Sequence, residues 1–589
     1  MDYKIFSYLD KVIEQYQEPV SIVDGLVHNP KEVLRTIEFY SNNEYTSGKT
    51  DALGREKPFF NAGNYRVTTS KVGTDIDLKD MVYTPESLND AIPAMLINHE
   101  QFKYLKEINF SKTLNETGFA RPKYGHFLIK RIKEKDGVRI DIVDLKNVDF
   151  DPVDMLEGLL IETHWKQPSE VAENAEVWYE VDEFLKAHAK ANKGKPARME
   201  IKEITGVMPV SFDPDVEENE ENDRKFKTYC FYIGVVNKKK FYLYKEELKD
   251  IREKYRCLAW ERIPGRALGR GVIEEGFEAQ VWINDAMISI KNAMDVSTKV
   301  VGISTSQKVS GNSITGVDHG HIFELEPNAT LDFRTLSNVA LPQFEKVIEL
   351  WNSQYDRVAS TYDANTGEAP TAGTPYSQTA LLNQVANSPL EYRREEAGIF
   401  WNEILNDWVL PEVKRRIKKP HYLVSEFSAE ELEMIDKDIK TKYSNENIKE
   451  MFLQNKIPTP QDQEAFEEFG QEGLKGFGAK REVEIPEGYL DIEGRITANI
   501  TGEAKNKAVM IQSIDTLMQR IISTFDPNTG TYRLLEDPTL RKLTGQIVEM
   551  SGIPFSSAQL KPTPASAPMP TQSADLSAIT PQNAQTPAI

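Results

Sequence analysis

Residues 272–363 constrain the fold more tightly than any other part of the chain. Val272–Val300 contains no proline and a single glycine, Gly276. It reads as one helix of about 28 residues, ~42 Å long at ~1.5 Å per residue. Its apolar residues (Ile273, Phe277, Val281, Trp282, Met287, Ile288, Ile290, Met294) spread around most of the helix, and such a helix needs neighbours on most sides. A second helix starts near Leu341. Phe344, Val347, Ile348, Trp351, Tyr355, Val358 and Tyr362 give it an i, i+3, i+4, i+7 stripe, and it stops at Asp363-Ala364-Asn365-Thr366-Gly367. Between the two, residues 301–338 are rich in Gly and Ser and β-like, with His321-Ile322-Phe323-Glu324-Leu325 and Thr330-Leu331-Asp332-Phe333 as strand pieces. Two long helices leading to and from a small insert run antiparallel and hold it away from the body. A lone hairpin of this kind exposes much apolar surface, and a ring of copies packed side by side covers it.

The flanking sequence places this hairpin in an α+β chain. Residues 1–60 read as mostly helical. Phe59-Phe60-Asn61, Tyr65-Arg66-Val67-Thr68 and Asp75-Ile76-Asp77-Leu78 read as short β pieces, and helical periodicity returns over 85–115. A β-meander follows. His126–Ile132 runs through Lys135-Asp136-Gly137 into Val138–Val143, which alternates with period two. Leu159–Trp165 is a further strand, and Phe226–Val236 with Lys240–Tyr244 a hairpin around Asn237. Beyond the central block, a helix is expected from Ser377, interrupted at Pro389 and resuming to about Ile417. Helices over 428–455 and 461–475, a strictly alternating strand over 492–500 and helices over 503–522 and 537–550 complete the reading. The Pro-rich, nearly uncharged 561–589 has the composition of a disordered tail.

Composition bounds the function. The 589 residues suggest three or four domains or one elaborate one. With 71 Lys+Arg against 92 Asp+Glu, the formal charge is −21. That argues against a tight grip on nucleic acid, which requires phosphate neutralisation by Lys and Arg, but leaves loose handling of DNA open. Cys230 and Cys257 are too few for a disulfide framework, so a reducing compartment is expected. The first 17 residues lack an apolar core, so no secretory signal is expected, and no apolar run approaches the ~18 residues of a membrane span.

The local motifs favour plain readings. Ser47-Gly48-Lys49-Thr50 ends like a phosphate-binding loop, but Asn43 stands where the first glycine belongs and a helix precedes it. Asp213-Pro-Asp215-Val-Glu217-Glu-Asn219 mimics a calcium loop, yet Glu218 and Arg224 replace its required Gly and Glu. His319-Gly-His321 lacks a third ligand at a recognisable spacing. Gly265-Arg266-Ala-Leu-Gly269-Arg270-Gly271 could hold an anion at a helix start, but reads more simply as a sharp turn into the helix. No pair of carboxylates stands out as catalytic. No enzyme activity, cofactor or metal is therefore expected.

The order of elements resembles the portal proteins of tailed bacteriophages over about residues 55–555. Ile263–Gly271 is similar to the lead into their first stem helix, carried by Gly265, Arg266, Gly269, Arg270 and Gly271. The resemblance implies a portal fold: a β-rich wing, long antiparallel stem helices, a small clip insert and a helical crown. Its divisions would be an N-terminal arm and wing (1–271), a first stem helix (272–300), a clip (301–338) and a second stem helix (339–366). A tunnel loop with its following helix (367–389), the rest of the wing (390–502), a crown (503–560) and the tail (561–589) follow. It further implies stem packing through Phe277, Val281, Met287, Phe344, Ile348, Trp351 and Tyr355, so that aspartate at Trp351 or Phe277 would stop assembly. A clip bearing His321, Phe323, Leu325 and Phe333 is implied, with a tunnel loop of Gly367, Glu368, Pro370, Thr371, Gly373, Thr374 and Pro375.

The implied protein is a homo-oligomeric ring, of twelve subunits by resemblance, at one capsid vertex of the virion and assembled in the host cytoplasm. It would pass double-stranded DNA during packaging and ejection. It would dock the large terminase subunit, then a head-completion or adaptor protein, and contact the major capsid protein and possible scaffold protein; no membrane is involved. Residues 272–375 carry 14 acidic and six basic residues, a net of −8 per chain. A sliding channel must not bind phosphates strongly, although solvated helix faces alone would give the same count. Two rivals stand beside this reading: an NTP-driven DNA packaging enzyme of terminase type, and a non-viral ring or adaptor scaffold.

Overall fold

The computed structural model describes residues 3–23, 26–42, 57–87, 90–134, 137–193, 197–216, 220–297, 300–305, 327–335, 341–361, 376–417, 429–454 and 489–498, with a few shorter pieces. The chain divides into two compact units, Met1–Pro85 with Leu96–Ile500, and Glu86–Met95 with Thr501–Ile589. In the second, a short strand pair is described, Phe525–Asp526 with Thr531–Tyr532. All else below concerns the first.

The N-terminal stretch holds α1 (Lys4–Gln17), a hairpin of β1 (Val20–Val23) and β2 (Leu26–His28), α2 (Pro30–Ser41) and α3 (Ala62–Gly73). After β3 (Met81–Pro85) come α4 (Ala91–Glu107) and α5 (Phe110–Tyr124). The strands β4 (His126–Glu134), β5 (Gly137–Val143), β6 (Val148–Asp149) and β7 (Leu160–Lys166) follow, then α6 (Pro168–Ala172), α7 (Val181–Ala191) and β8 (Met199–Pro209). The short α8 (Glu220–Asp223) leads to β9 (Phe226–Val236), β10 (Lys239–Leu248) and β11 (Tyr255–Ala259). A five-stranded antiparallel sheet has the order β10-β9-β8-β7-β6, and a three-stranded one β11-β4-β5.

The five-stranded sheet is covered on both faces. Residues at alternate positions point opposite ways, so Ile204, Met208 and Phe231 meet the apolar stripe of α1 (Ile5, Phe6, Leu9, Val12). Met199, Ile201, Phe241 and Leu243 meet Phe184 of α7. The expected hairpin turns at Asn237 and Lys238, both left-handed (φ 46° and 68°), which gives the tight reversal that suits the twist of the strands. Strand β8, central to this sheet, has no counterpart in the sequence reading.

The central block begins with α9 (Val272–Glu275) and α10 (Phe277–Ser297). The single helix expected over 272–300 is thus broken at Gly276, and its end is the strand β12 (Val300–Ser304). That strand pairs antiparallel with β13 (Leu331–Thr335), opposing Phe333 to Gly302. Helix α11 (Leu341–Ala359) ends at Ser360, which is left-handed (φ 56°). Gly276 lies beside Tyr355 and Trp282 stacks on Trp351, so residue numbers rise along one helix as they fall along the other. The expected antiparallel helix pair is therefore present.

Two further expectations are corrected. Tyr65–Thr68 lies in helix α3 rather than in a strand. Asn61 caps its start by accepting from the Asn64 N–H, and Thr68 and Thr69 turn their hydroxyls onto the carbonyls of Asn64 and Tyr65. Pro389 does not interrupt the next helix. Helix α12 (Tyr376–Ile404) runs through it, at the loss of one backbone bond, with Leu390 buried directly after. A π-helical turn (Leu405–Val409) leads into α13 (Leu410–Ile417), and α14 (Ala429–Leu453) matches its expected span. Short strands β14 (Tyr422–Leu423) and β15 (Glu482–Val483) pair.

The alternating strand expected near 492–500 is β16 (Gly494–Ala498), and it pairs with β3. Both outer edges of this two-stranded sheet are closed by side chains. Asn98 bonds both the N–H and the C=O of Tyr83, at 2.6 and 3.0 Å. Asn406 does the same for Ile496, at 2.8 and 2.9 Å. None of the described helices is long and apolar enough to cross a membrane.

Candidate functional site

The root of the α10–α11 hairpin is fixed by buried side chains. Tyr355 is 1% exposed, packs its ring against Gly276 and donates to the Val272 carbonyl at 3.2 Å. The Arg66 guanidinium lies 4.3 Å from the centre of that ring and pairs with Asp356 at 2.8 Å. It also bonds the carbonyls of Ala62 and Asn352. On α10, Gln280 accepts from the Gly63 N–H and donates to the Phe60 carbonyl, while Asn284 accepts from the Phe60 N–H. A buried polar row at i and i+4 thereby ties α10 to Phe60 and to the first turn of α3.

The residues assigned to stem packing divide by depth. Tyr355 is buried in its own chain, and Phe277 stacks on Tyr40 at 4.5 Å. Trp351 lies parallel to Trp282, 6.1 Å away. Val281, Met287, Phe344 and Ile348 are half-buried. Other apolar residues of the two helices are more exposed: Trp282 (52%, with its ring stacked on Trp351), Met294 (55%), Leu350 (58%) and Val358 (50%).

The glycine-rich lead into the hairpin is a crossing of backbones. A Cβ on Gly271 would fall 2.5 Å from the Gly125 nitrogen, and one on Gly269 would collide with the Gly125 carbonyl. Gly125 and Gly265 are themselves left-handed, φ 74° and 77°. Arg266 pairs with Glu274 at 2.6 Å, both mostly buried, and Arg270 bridges Glu261 through its backbone. With Arg266 already paired inside the chain, close backbone approach accounts for the motif, and the anion-holding alternative loses its main cation.

At the same base, burial first, and then the neighbouring Glu261, pushes the Glu275 carboxyl up to about 7. The folded state thus holds a proton that the unfolded chain releases near 4.5. Stability from this group is full below that value and is lost as pH rises through about 7. The urea midpoint is expected to fall between pH 5 and pH 8, and Glu275→Gln to flatten the fall. An unchanged slope in that variant would assign the effect to another group.

The second concentration of chemistry joins the two sheets. Glu203 on β8 is fully buried. Its carboxylate takes Lys130 of β4 at 2.5 Å, Lys254 at 2.7 Å, His164 at 2.8 Å and the Tyr255 hydroxyl at 2.9 Å. Glu162 on β7 shares Lys130, at 2.8 Å, and Tyr255. Burial alone would raise the Glu203 carboxyl, but Lys130 and Lys254 hold it well below the ordinary range. Burial likewise pushes the Cys230 thiol up to about 11, with the Lys254 ammonium 2.9 Å from its sulfur.

Glu162, His164 and Glu203 bring three possible metal-ligating atoms within 4.8 Å of one another. The two ammonium groups already occupy and neutralise the space a cation would take, so the set fits a structural ion network better than a metal centre. Asp213 and Asp215 of the calcium-like loop are taken by Lys245, at 2.6 Å for Asp213.

Sequence reasoning missed Arg66, Gln280 and Asn284 at the hairpin, and the whole Glu203 network. The one available signal was the pair of uncharged polar residues at i and i+4, Gln280 and Asn284. His321, Phe323, Leu325, Ser47–Lys49 and the loop carrying Gly367, Glu368, Pro370, Thr371, Gly373, Thr374 and Pro375 lie outside the described residues, as do the expected helices over 461–475 and 537–550, all but Gln519 of the one over 503–522, and the tail. No family model matches the chain, and no curated protein sequence matches it.

Proposed function

We propose that the chain forms a closed ring of the portal type, with the α10–α11 hairpins lining an axial channel for duplex DNA. One observation carries this reading. An antiparallel helix pair, continued by an antiparallel strand pair, leaves Leu350 and Val358 at least half exposed, and Trp282 half exposed beyond its stacking on Trp351. Apolar residues clustered on exposed helices mark a surface that another molecule covers. In this assignment residues 301–338 form the clip that meets the packaging motor and later the head-completion protein. The loop from Gly367 to Pro375 narrows the channel, and the acidic balance of the hairpin lets DNA slide.

The test is particle mass. The full chain is expected to give rings near twelve times 67.0 kDa by mass photometry. Trp351 and Phe277 are poor probes because both pack inside one chain, so aspartate there disturbs the monomer as well. Leu350→Asp places a charge on a bare position. It is expected to leave sub-ring material with an unchanged circular dichroism spectrum. A wild-type chain that stays monomeric at micromolar concentration would end the ring reading.

A further inference from the structure

Each helix of the hairpin leaves one stripe exposed. On α10 this stripe carries Glu278, Trp282 and Asp285, at i, i+4 and i+7; the Trp282 ring stacks on Trp351 of the partner helix and is still 52% exposed. On α11 the stripe carries Lys346, Leu350, Ser353 and Arg357, at i, i+4, i+7 and i+11. Each is a charge–apolar–charge stripe, acidic on one helix and basic on the other. None of these four charged groups makes an ion pair among the described residues. Glu345 lies about 100° around α11 from Lys346, and Glu349 about 60°, so Glu349 borders the basic stripe.

The hairpin also fixes which residues share a level. Gly276 lies beside Tyr355 and Trp282 beside Trp351. Both helices advance ~1.5 Å per residue, in opposite directions. Asp285 is therefore level with residues 346–348, Trp282 with 349–351 and Glu278 with 353–355. Rotation about an axis parallel to the hairpin leaves levels unchanged. A neighbouring copy in a ring would then present Lys346 opposite Asp285 and Leu350 opposite Trp282, with Arg357 one turn beyond Glu278 and within reach of it.

We propose that the α10 face of one copy docks on the α11 face of the next, with Trp282 against Leu350 between the pairs Asp285–Lys346 and Glu278–Arg357. This rests on the ring reading above and adds to it a specified contact between neighbours. Like faces repel, acidic against acidic and basic against basic, so a two-fold dimer through either face is disfavoured. Unlike faces leave each copy with one free face of each kind, and such a head-to-tail contact closes only as a ring or continues as a filament. The apolar centre supplies burial, while the charges select register and hand.

The experiment uses the full chain with Asp285→Cys and Lys346→Cys together. Within one chain these positions lie on opposite outer faces, beyond disulfide reach. Oxidation is expected to give a ladder of covalent multimers on a non-reducing gel, while each single variant stops at dimer. In parallel, Asp285→Lys or Lys346→Glu alone is expected to lower the ring fraction at least tenfold in mass photometry, and the two together to restore it. Wild-type rings with no ladder and no restoration by the exchange would overturn this pairing and leave the ring standing. A wild-type chain that never forms rings would remove both.

Discussion

Replacing Glu203 by alanine is expected to cost roughly 3–5 kcal/mol of stability, because it strands two buried ammonium groups without a counter-charge. Lys130 and Lys254 both sit within hydrogen-bond distance of its carboxylate and are largely buried. Burial pulls the Lys130 ammonium down, and Glu203 and Glu162 outweigh it and hold the group above its ordinary value. Without Glu203, Lys130 retains only Glu162, and Lys254 retains the Cys230 thiol, which burial keeps protonated. Urea unfolding at pH 7 measures the loss, and a variant within about 1 kcal/mol of wild type would show that the network is not what joins the sheets. The pH dependence has a definite sign. The folded Glu203 carboxyl is held below the ordinary value of 4.5, so its contribution is complete above that value and fades as pH falls through the lower, folded one. The Glu275 effect occupies the opposite side of pH 4.5, so the two can be read separately.

Gly276→Ala is expected to destabilise by at least about 2 kcal/mol, the reverse of what alanine does inside an ordinary helix. The added carbon would fall within the Tyr355 ring, well inside van der Waals contact. That ring is held by Arg66 on its face and by its hydroxyl on Val272, so it has nowhere to go. Pairing the change with Tyr355→Leu, which opens the space, is expected to show a coupling of about 1 kcal/mol or more in a double-mutant cycle. Additive losses would mean that Tyr355 and Gly276 do not share the contact.

How legible these features are in the sequence follows from what carries them. The hairpin helices announce themselves by apolar spacing, as do β5 and β16 by alternation, because their cores are apolar. Strand β8 does not, since one of its innermost side chains is Glu203, and an ion network in the core erases the two-residue hydrophobic period. Helix α3 misleads for a related reason. Tyr65, Val67, Thr68 and Thr69 carry β preference, and the helix is held instead by Asn61 and by Arg66 reaching Asp356, nearly 300 residues later. The break at Gly276 is visible as a glycine but not as a break, because the reason for it is a tyrosine on the other helix. Pro389 looks like a stop because local rules see the missing donor and not the buried Leu390 that follows it.

The small sheet of β3 and β16 has a consequence for how the chain is made. Tyr83 and Ile492, bonded across its end, are 409 positions apart. At about 5–20 residues per second a ribosome needs about 20–80 s to supply the second strand after the first. Through that interval β3 can settle on Asn98 and Gln101 of α4, but its other edge stays open to any passing strand. The first unit cannot close during synthesis before its last strand emerges, and long-range closure of this kind is slow. Chains truncated before Gly494 are expected to aggregate through that edge while those reaching Ala498 stay in solution.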